Sequence, residues 1–191
     1  KEGIKATFVP FTGGSEAILF AFFCCLDPGD EIIIPEPFYA NYNSFACAAG
    51  VRVVPVTSRI ESGFSLPPAE EFSSKITPRT KAIVICNPNN PTGYVYAKEE
   101  LQALRTLCKT NQMYLFSDEA YREFCYEGQV MSALQLPDMD ENVVMMDTIS
   151  KRYSACGARL GALITRNKNV YDAAMKFAQA RLSPPGLAQI M

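Results

Sequence analysis

Short runs of apolar residues alternate with longer amphipathic stretches along most of this 191-residue chain. The short runs have the length of strands, and most are apolar on both faces, as in strands covered by helices on each side: 4–9, 31–34, 51–56, 81–86, 113–116, 143–146 and 160–164. Longer stretches with helical periodicity lie between them: 15–26, 39–49, 67–76, 97–111 and 167–182. The alternation predicts one α/β domain over residues 1–191, with a three-layer α/β/α architecture and a mostly parallel seven-stranded sheet.

Polar, turn-rich segments follow four of the predicted strands. They read TGGSEA after the first strand, NPNNPTG after the fourth, SDEAY after the fifth and TISKRYSACGAR after the sixth. In open parallel sheets, ligands bind in the turns at the carboxyl ends of the strands. We therefore expect the four segments to converge on one crevice.

Composition and charge narrow the set of partners. The formal net charge is −2, which is too close to neutral for a nucleic-acid or membrane-surface protein. The longest apolar run, AILFAFFCCL at residues 17–26, is too short to span a bilayer and predicts a buried helix. We therefore expect neither a nucleic-acid partner nor a membrane partner.

The cysteines and the missing histidines bear on metal binding and cellular compartment. The chain has seven cysteines without CxxC spacing and no histidine, so we expect no metal site. A catalytic cysteine usually needs a cationic partner such as histidine. Most of the cysteines lie in apolar runs, which predicts reduced, buried thiols in a cytoplasmic protein.

The first two polar segments have the features of a ligand site. Gly13, Gly14 and Ser15 precede a predicted helix, whose free N–H groups could bind a phosphate. Alternatively, Ser15 is only the helix N-cap. The constrained turn NPNNPTG is suited to placing the Asn90 amide, although an ordinary loop is the alternative.

The last two polar segments add charged groups. Asp118 follows an apolar strand, where it needs a cationic partner or caps the next turn, and Tyr121 could lie on the same side. Lys151 follows another strand, where burial and nearby cations would lower its pKa and make it a nucleophile towards carbonyls. Arg159, eight residues later, could bind a phosphate, or the two cations could be a mere surface pair. An amine, a phosphate cradle and a carboxylate are the groups that a pyridoxal 5′-phosphate (PLP) site requires.

The ordered set GGSEA, NPNNPTG, SDEAY and T-x-S-K, with an arginine eight residues after the lysine, resembles the class I/II aminotransferases of fold type I. The resemblance covers essentially the whole chain and is nearest to aspartate aminotransferases of bacterial type. It implies the PLP-binding large domain, amino acid and 2-oxo acid substrates, and a homodimer in the full-length protein. It also implies that the small domain, the N-terminal segment and the arginine for the substrate carboxylate lie outside this chain.

The resemblance assigns catalytic roles to three residues. Lys151 would form a Schiff base with PLP and then move a proton. Asp118 would pair with the pyridinium nitrogen, and Tyr121 would hydrogen-bond the phenolic oxygen of the cofactor. In several relatives a histidine supports the aspartate from behind; this chain has none, and Tyr42 is the candidate for that place.

The remaining implied contacts are with the cofactor. Asn90 would also hydrogen-bond the phenolic oxygen, and Tyr39 would stack on the ring, unless it is a core aromatic. The residues that would hold the phosphate are Gly13, Gly14, Ser15, Thr148 and Arg159.

The reaction that this resemblance implies is amino transfer, with aspartate and 2-oxoglutarate as the best guess at substrates. One alternative is a PLP-dependent lyase on the same fold, such as a carbon–sulfur lyase or an aminocyclopropane-carboxylate synthase. The other is a non-catalytic, aminotransferase-like module of a regulatory protein. The sequence itself identifies no residue that recognises a substrate side chain.

Overall fold

The computed structural model describes residues 5–190, and its centre is one sheet of seven strands in the order β1-β7-β6-β5-β4-β2-β3. Strand β7 is antiparallel to its neighbours β1 and β6, and the other strands all run in the same direction. The prediction of a mostly parallel seven-stranded sheet is therefore confirmed. The strands are Thr7–Phe11 (β1), Glu31–Glu36 (β2), Arg52–Thr57 (β3), Thr80–Cys86 (β4), Tyr114–Asp118 (β5), Val143–Thr148 (β6) and Gly161–Thr165 (β7).

Helices connect most of the strands, and all five predicted helices are present. Two further helices, α5 and α7, were not predicted; α5 has four residues, which are too few to show helical periodicity. The α-helices in the described part of the chain are Gly13–Cys25 (α1), Asn41–Ala48 (α2), Ala69–Ser73 (α3), Lys98–Thr110 (α4), Ile149–Arg152 (α5), Lys168–Arg181 (α6) and Gly186–Ile190 (α7).

Strand β1 differs from its prediction. The pattern placed it at 4–9, but it runs from Thr7 to Phe11, and residue 4 lies outside the described residues. Pro10 therefore lies inside the strand. This is tolerated because β1 is an edge strand of the described sheet. It pairs with β7 on one side, and no described strand on its other side needs a hydrogen bond from residue 10.

Two hydrophobic clusters lie on opposite faces of the sheet. Along β2 the buried side chains alternate, with Ile32 and Ile34 in one cluster and Ile33 in the other. The first cluster includes residues of α1, α2 and α6, and the second includes residues of α3 and α4. The sheet is thus the middle layer of the predicted three-layer α/β/α fold.

Three further properties of the described residues concern thiols, metal ligands and membrane-spanning helices. All seven cysteines are free thiols, but the prediction that most of them are buried is wrong: two are buried (Cys86 and Cys108), two are exposed (Cys47 and Cys156) and three are partly buried. Between residues 5 and 190, no cluster of three or more histidine, cysteine, aspartate or glutamate side chains could hold a metal ion. In the same range, no helix is both long enough and apolar enough to cross a membrane.

One buried carboxylate stabilises the sheet edge opposite the polar segments. The side chain of Glu31, the first residue of β2, is inaccessible to solvent and accepts hydrogen bonds from Arg52, Arg79 and Thr77. The Arg52 hydrogen bond is the largest cause that lowers the pKa of Glu31, from 4.5 to about 2. Because the folded pKa lies below the unfolded value, this stabilisation is complete above pH 4.5 and is lost as the pH falls to about 2.

We expect Glu31→Gln to lower the free energy of unfolding at pH 7 by about 2 kcal/mol, since hydrogen bonds to an ionised group are lost. Urea unfolding at several pH values measures the effect. Between pH 4.5 and about 2, the variant should lose less stability than the wild type. Glu61→Gln, at an exposed position, is the control and should follow the wild type; equal acid sensitivity of the two variants would contradict this account.

Candidate active site

The four polar segments meet at one edge of the sheet, as predicted. Strands β1, β4, β5 and β6 end there, and the reversed direction of β7 brings its first residue, Gly161, to the same edge, between Phe11 and Thr148. A cavity of about 250 Å³ opens at this edge. Its lining consists of Gly14, Ser15, Ile18, Tyr39, Cys86, Asn90, Asp118, Ala120, Tyr121, Thr148, Ser150, Lys151, Cys156 and Arg159.

Nine of the ten predicted cofactor-binding residues line this cavity, and Gly13 is the one that does not. Gly13 nevertheless lies against it, because its α-carbon faces the guanidinium group of Arg159. The structure therefore brings the whole predicted set together. The chemical role of each residue stays a prediction.

The first turn of α1 and Arg159 form the cationic end of the cavity. Gly13 has a φ of +81°, and a β-carbon there would lie 2.7 Å from the Arg159 Cζ, so both conformation and space favour glycine. Arg159 Nη1 donates to the Cys156 carbonyl oxygen at 3.1 Å, and Nη2 lies 3.5 Å from the Thr12 carbonyl oxygen. The guanidinium group is thereby held beside the free N–H groups of a helix N-terminus, an arrangement that suits an anion.

The interpretation of Ser15 as the N-cap of α1 is wrong. The helix begins at Gly13, so Ser15 is already in its first turn, and Thr12 is the cap residue. Glu16 satisfies the backbone of that cap, since its Oε2 accepts the Thr12 N–H at 2.6 Å. The side chain of Ser15 lines the cavity.

Thr148 and Ser150 shape the turn between β6 and α5. Thr148 is the N-cap of α5: its Oγ1 accepts the Ser150 N–H at 3.2 Å and donates to the Leu160 carbonyl oxygen at 2.9 Å. Gly14 packs against Thr148, since a β-carbon on Gly14 would lie 3.3 Å from the Thr148 Cβ. The α1 and α5 turns are thus in contact at the cavity.

Asp118 is the buried carboxylate of the site, with 8% of its surface exposed. Its Oδ2 accepts the Tyr42 hydroxyl at 2.8 Å, and its Oδ1 accepts the Ala120 N–H at 3.1 Å. Burial raises the pKa of Asp118, and Asp147 adds to the rise, while the two hydrogen bonds and Lys151 oppose it. Asp118 therefore caps the following turn, as one of its two predicted roles required, and it also lines the cavity.

Lys151 differs from its prediction in one respect. It was expected to be buried at an interior strand edge, but it is exposed, because it lies on α5, beyond the end of β6. Its Nζ lies 5.8 Å from the centroid of the Tyr121 ring. The amine therefore reaches the cavity next to Tyr121 without being desolvated in this chain.

The asparagines of the segment NPNNPTG have two different roles. Asn87 Nδ2 donates to the Met131 carbonyl oxygen at 3.2 Å, and Asn89 Nδ2 donates to the Pro37 carbonyl oxygen at 3.1 Å. Both side chains thereby tie the loop to neighbouring segments. Asn90 is the asparagine of this loop that lines the cavity, as predicted.

Tyr39 lines the cavity and is only partly buried, so it is not a fully buried core aromatic. Its ring meets the ring of Tyr42 edge to face, with centroids 5.5 Å apart and planes at 88°. Tyr42 in turn is fully buried. The candidate stacking residue and the partner of Asp118 therefore pack on each other.

Sequence reasoning missed several residues at this edge, among them Cys86, Ser150, Cys156 and Gly161. Cys86 ends β4 next to a polar segment, so the rule of strand ends applied to it, but it was assigned to the core with the other cysteines. Gly161 carried another signal, since a glycine inside a strand marks a close backbone approach. A β-carbon there would lie 2.6 Å from both the Gly13 carbonyl oxygen and the Gly14 nitrogen.

Comparisons with known proteins agree on one family. The family model for aminotransferase class I and II matches residues 3–191. An arginine–pyruvate transaminase of Pseudomonas aeruginosa is 36% identical over 164 residues, which are 85% of this chain and 42% of that enzyme. An aspartate/prephenate aminotransferase of Thermus thermophilus is 37% identical over 177 residues, 93% of this chain and 45% of that enzyme.

A solved structure is similar as well. The aspartate aminotransferase of Thermotoga maritima superposes with a TM-score of 0.90 at 32% identity, over 95% of this chain and 48% of that one. The chain thus spans less than half the length of each relative named here. The match of the family model to nearly the whole chain, together with these relatives, shows that the chain belongs to the class I and II aminotransferases.

Proposed function

We propose that this chain is the cofactor-binding large domain of a PLP-dependent aminotransferase. One observation carries the proposal: an amine, a buried carboxylate and an arginine beside a helix N-terminus line one cavity. They come from segments far apart in the sequence, Lys151 from α5, Asp118 from β5 and Arg159 from the turn before β7. The family as a whole depends on PLP, so its cofactor is the natural occupant of this cavity.

The donor set fits PLP at both of its charged ends. Arg159 and the first turn of α1 would bind the dianionic phosphate, and the glycine at position 13 leaves room for the guanidinium group. Asp118 is acceptor-only when ionised and would bind a protonated ring nitrogen. When bound, PLP would supply an electron sink that stabilises negative charge at the substrate α-carbon.

The chain's own residues would orient the cofactor and move a proton. Asp118 would keep the proton on the ring nitrogen, and Tyr39 would cover a ring face. Tyr121 and Asn90 would donate hydrogen bonds to the phenolic oxygen. Lys151 Nζ, exposed on helix α5, would attach the cofactor and then accept the proton from the substrate α-carbon.

The substrates, the assembly and the location are proposals too. Aspartate and 2-oxoglutarate are supported by relatives named aspartate aminotransferase, such as one from Bacillus subtilis that is 39% identical over 152 residues. A relative of similar identity is named for arginine and pyruvate, so identity to these relatives does not by itself distinguish the substrates. We propose a homodimer for the full-length protein, and a cytoplasmic location that agrees with seven free thiols.

The experiment that tests this function is a half-reaction in the full-length protein. We expect aspartate, added without a 2-oxo acid, to convert the bound cofactor to its amino form, with a shift of its absorbance band. Addition of 2-oxoglutarate should restore the band and yield glutamate. A lyase would instead release pyruvate or a thiol from its substrate, and a regulatory module would bind ligand without converting the cofactor; either result would overturn the proposal.

A further inference from the structure

Cys86 is a buried titratable group at the cavity that the proposed mechanism leaves without a role. It is the last residue of β4, it is 3% exposed, and it lines the cavity together with Asp118. In the sheet register Cys86 is directly paired with Asp118, the last residue of β5. Side chains of directly paired residues on neighbouring strands lie on the same face of a sheet, so the thiol stands beside the carboxylate.

The thiol is held neutral and its proton is already used. Cys86 Sγ donates to the Pro88 carbonyl oxygen at 3.2 Å. Burial, with Asp118 next in size, raises the pKa of Cys86 far above its ordinary value, which favours the protonated thiol. Cys86 therefore places a weakly polar atom beside Asp118 without directing a hydrogen bond to it.

The other groups around Asp118 come from four elements. Tyr42 on α2 and the Ala120 N–H donate to it, Asp147 on β6 repels it, and Lys151 on α5 attracts it. Tyr42 is fully buried, and burial together with the neighbouring Asp118 raises its pKa as well, so it remains a neutral donor. The ionised form of Asp118 thus depends on few donors, and any new donor at position 86 would add to them.

We propose that Cys86 is a positioning residue for Asp118: its neutral thiol closes the β4 side of the carboxylate to water while adding no hydrogen bond. The negative charge of the Asp118 carboxylate then remains largely available to a cationic group bound in the cavity. The chemical meaning of that attraction rests on the proposed function, in which the cation is the protonated ring nitrogen of PLP.

Comparing serine with alanine at position 86 separates the effect of a hydrogen-bond donor from the effect of packing. Both substitutions remove the sulfur, and the two side chains are of similar size. Serine adds a strong donor beside the carboxylate, and alanine adds none. We expect Cys86→Ser to lower the pKa of Asp118 and Cys86→Ala to change it less. Tyr42→Phe should shift it the opposite way, since a hydrogen bond to the ionised form is lost.

The measurement is a ¹³C NMR titration of aspartate side-chain carboxyls in the full-length protein without PLP, with the Asp118 signal assigned through Asp118→Asn. Cys108→Ser is the matched control, a buried cysteine of the other hydrophobic cluster, and should leave the Asp118 titration unchanged. Cys86→Thr, which keeps the bulk of the thiol and adds the same hydroxyl, replaces the serine variant if that one does not fold. Equal titrations in the hydroxyl and alanine variants would overturn the proposal.

A second measurement links the effect to the cofactor. The Cys86→Ser variant should bind PLP about tenfold more weakly than Cys86→Ala, because the ring nitrogen then competes with an added hydrogen bond for Asp118. The NMR titration does not involve PLP, so its outcome stands even if the proposed function fails. Failure of the function would show instead as wild-type protein that does not attach PLP to Lys151.

Discussion

Replacing Lys151 with alanine is expected to abolish attachment of PLP and to reduce amino transfer by a factor of about 10⁴ or more. The reason is that one amine would perform two tasks, attaching the cofactor and moving the substrate proton, and no histidine exists in the chain to take over the second. The cavity itself should survive. The lysine is exposed and lies at the end of the four-residue helix α5, so its side chain contributes little packing.

Borohydride reduction followed by peptide mapping measures the attachment. In the wild type, PLP should be fixed on Lys151, and in the variant it should wash out on dialysis. Lys168→Ala is the matched control: this lysine is also exposed, and within residues 5–190 its ion pair is with Asp172, four residues further along α6. Label spread over several surface lysines of the wild type would show that Lys151 is not the reactive amine.

Replacing Gly161 with alanine is expected to lower the free energy of unfolding by about 3 kcal/mol and to prevent PLP binding. The added methyl group would overlap the backbone of α1, 2.6 Å from the Gly13 carbonyl oxygen and from the Gly14 nitrogen. Backbone atoms cannot swing aside as a long side chain can. Either β7 or the first turn of α1 must move, and that turn is half of the proposed phosphate site.

Gly157→Ala is the control for Gly161→Ala, because a β-carbon there would meet nothing within 4 Å and the site lies in the same region of the chain. Denaturant unfolding measures the stability, and a PLP titration monitored by absorbance measures the binding. We expect the control to match the wild type in both. A Gly161→Ala protein that binds PLP normally would show that α1 can shift without damage to the cavity.

The sequence predicted the fold and the edge of the sheet where the site forms. Alternation of short apolar runs and amphipathic stretches is a local signal, and it found the strands and five of the seven described α-helices. The convergence of Asp118, Asn90 and Lys151 followed from one rule, that parallel strands end at a common edge. Neither step needed knowledge of a side-chain contact.

What the sequence did not predict depends on contacts between distant segments. The start of α1 at Gly13, which removed the cap role of Ser15, is set by the close approach of β7 and Arg159. The exposure of Lys151 depends on the four-residue helix α5, too short to leave a periodic pattern. The position of Cys86 beside Asp118 depends on the register between β4 and β5, which an apolar run does not specify.

The pairing of β1 with β7 has a consequence for synthesis of the protein in the cell. Arg159 and Thr12 are in contact across 147 residues of sequence, so the cationic end of the cavity cannot form until the later segment has left the ribosome. At about 5 to 20 residues per second, the first strand waits roughly 7 to 30 seconds for its neighbour. During that interval the apolar helix α1 has no β7 to pack on, so part of its apolar surface stays exposed in the nascent chain.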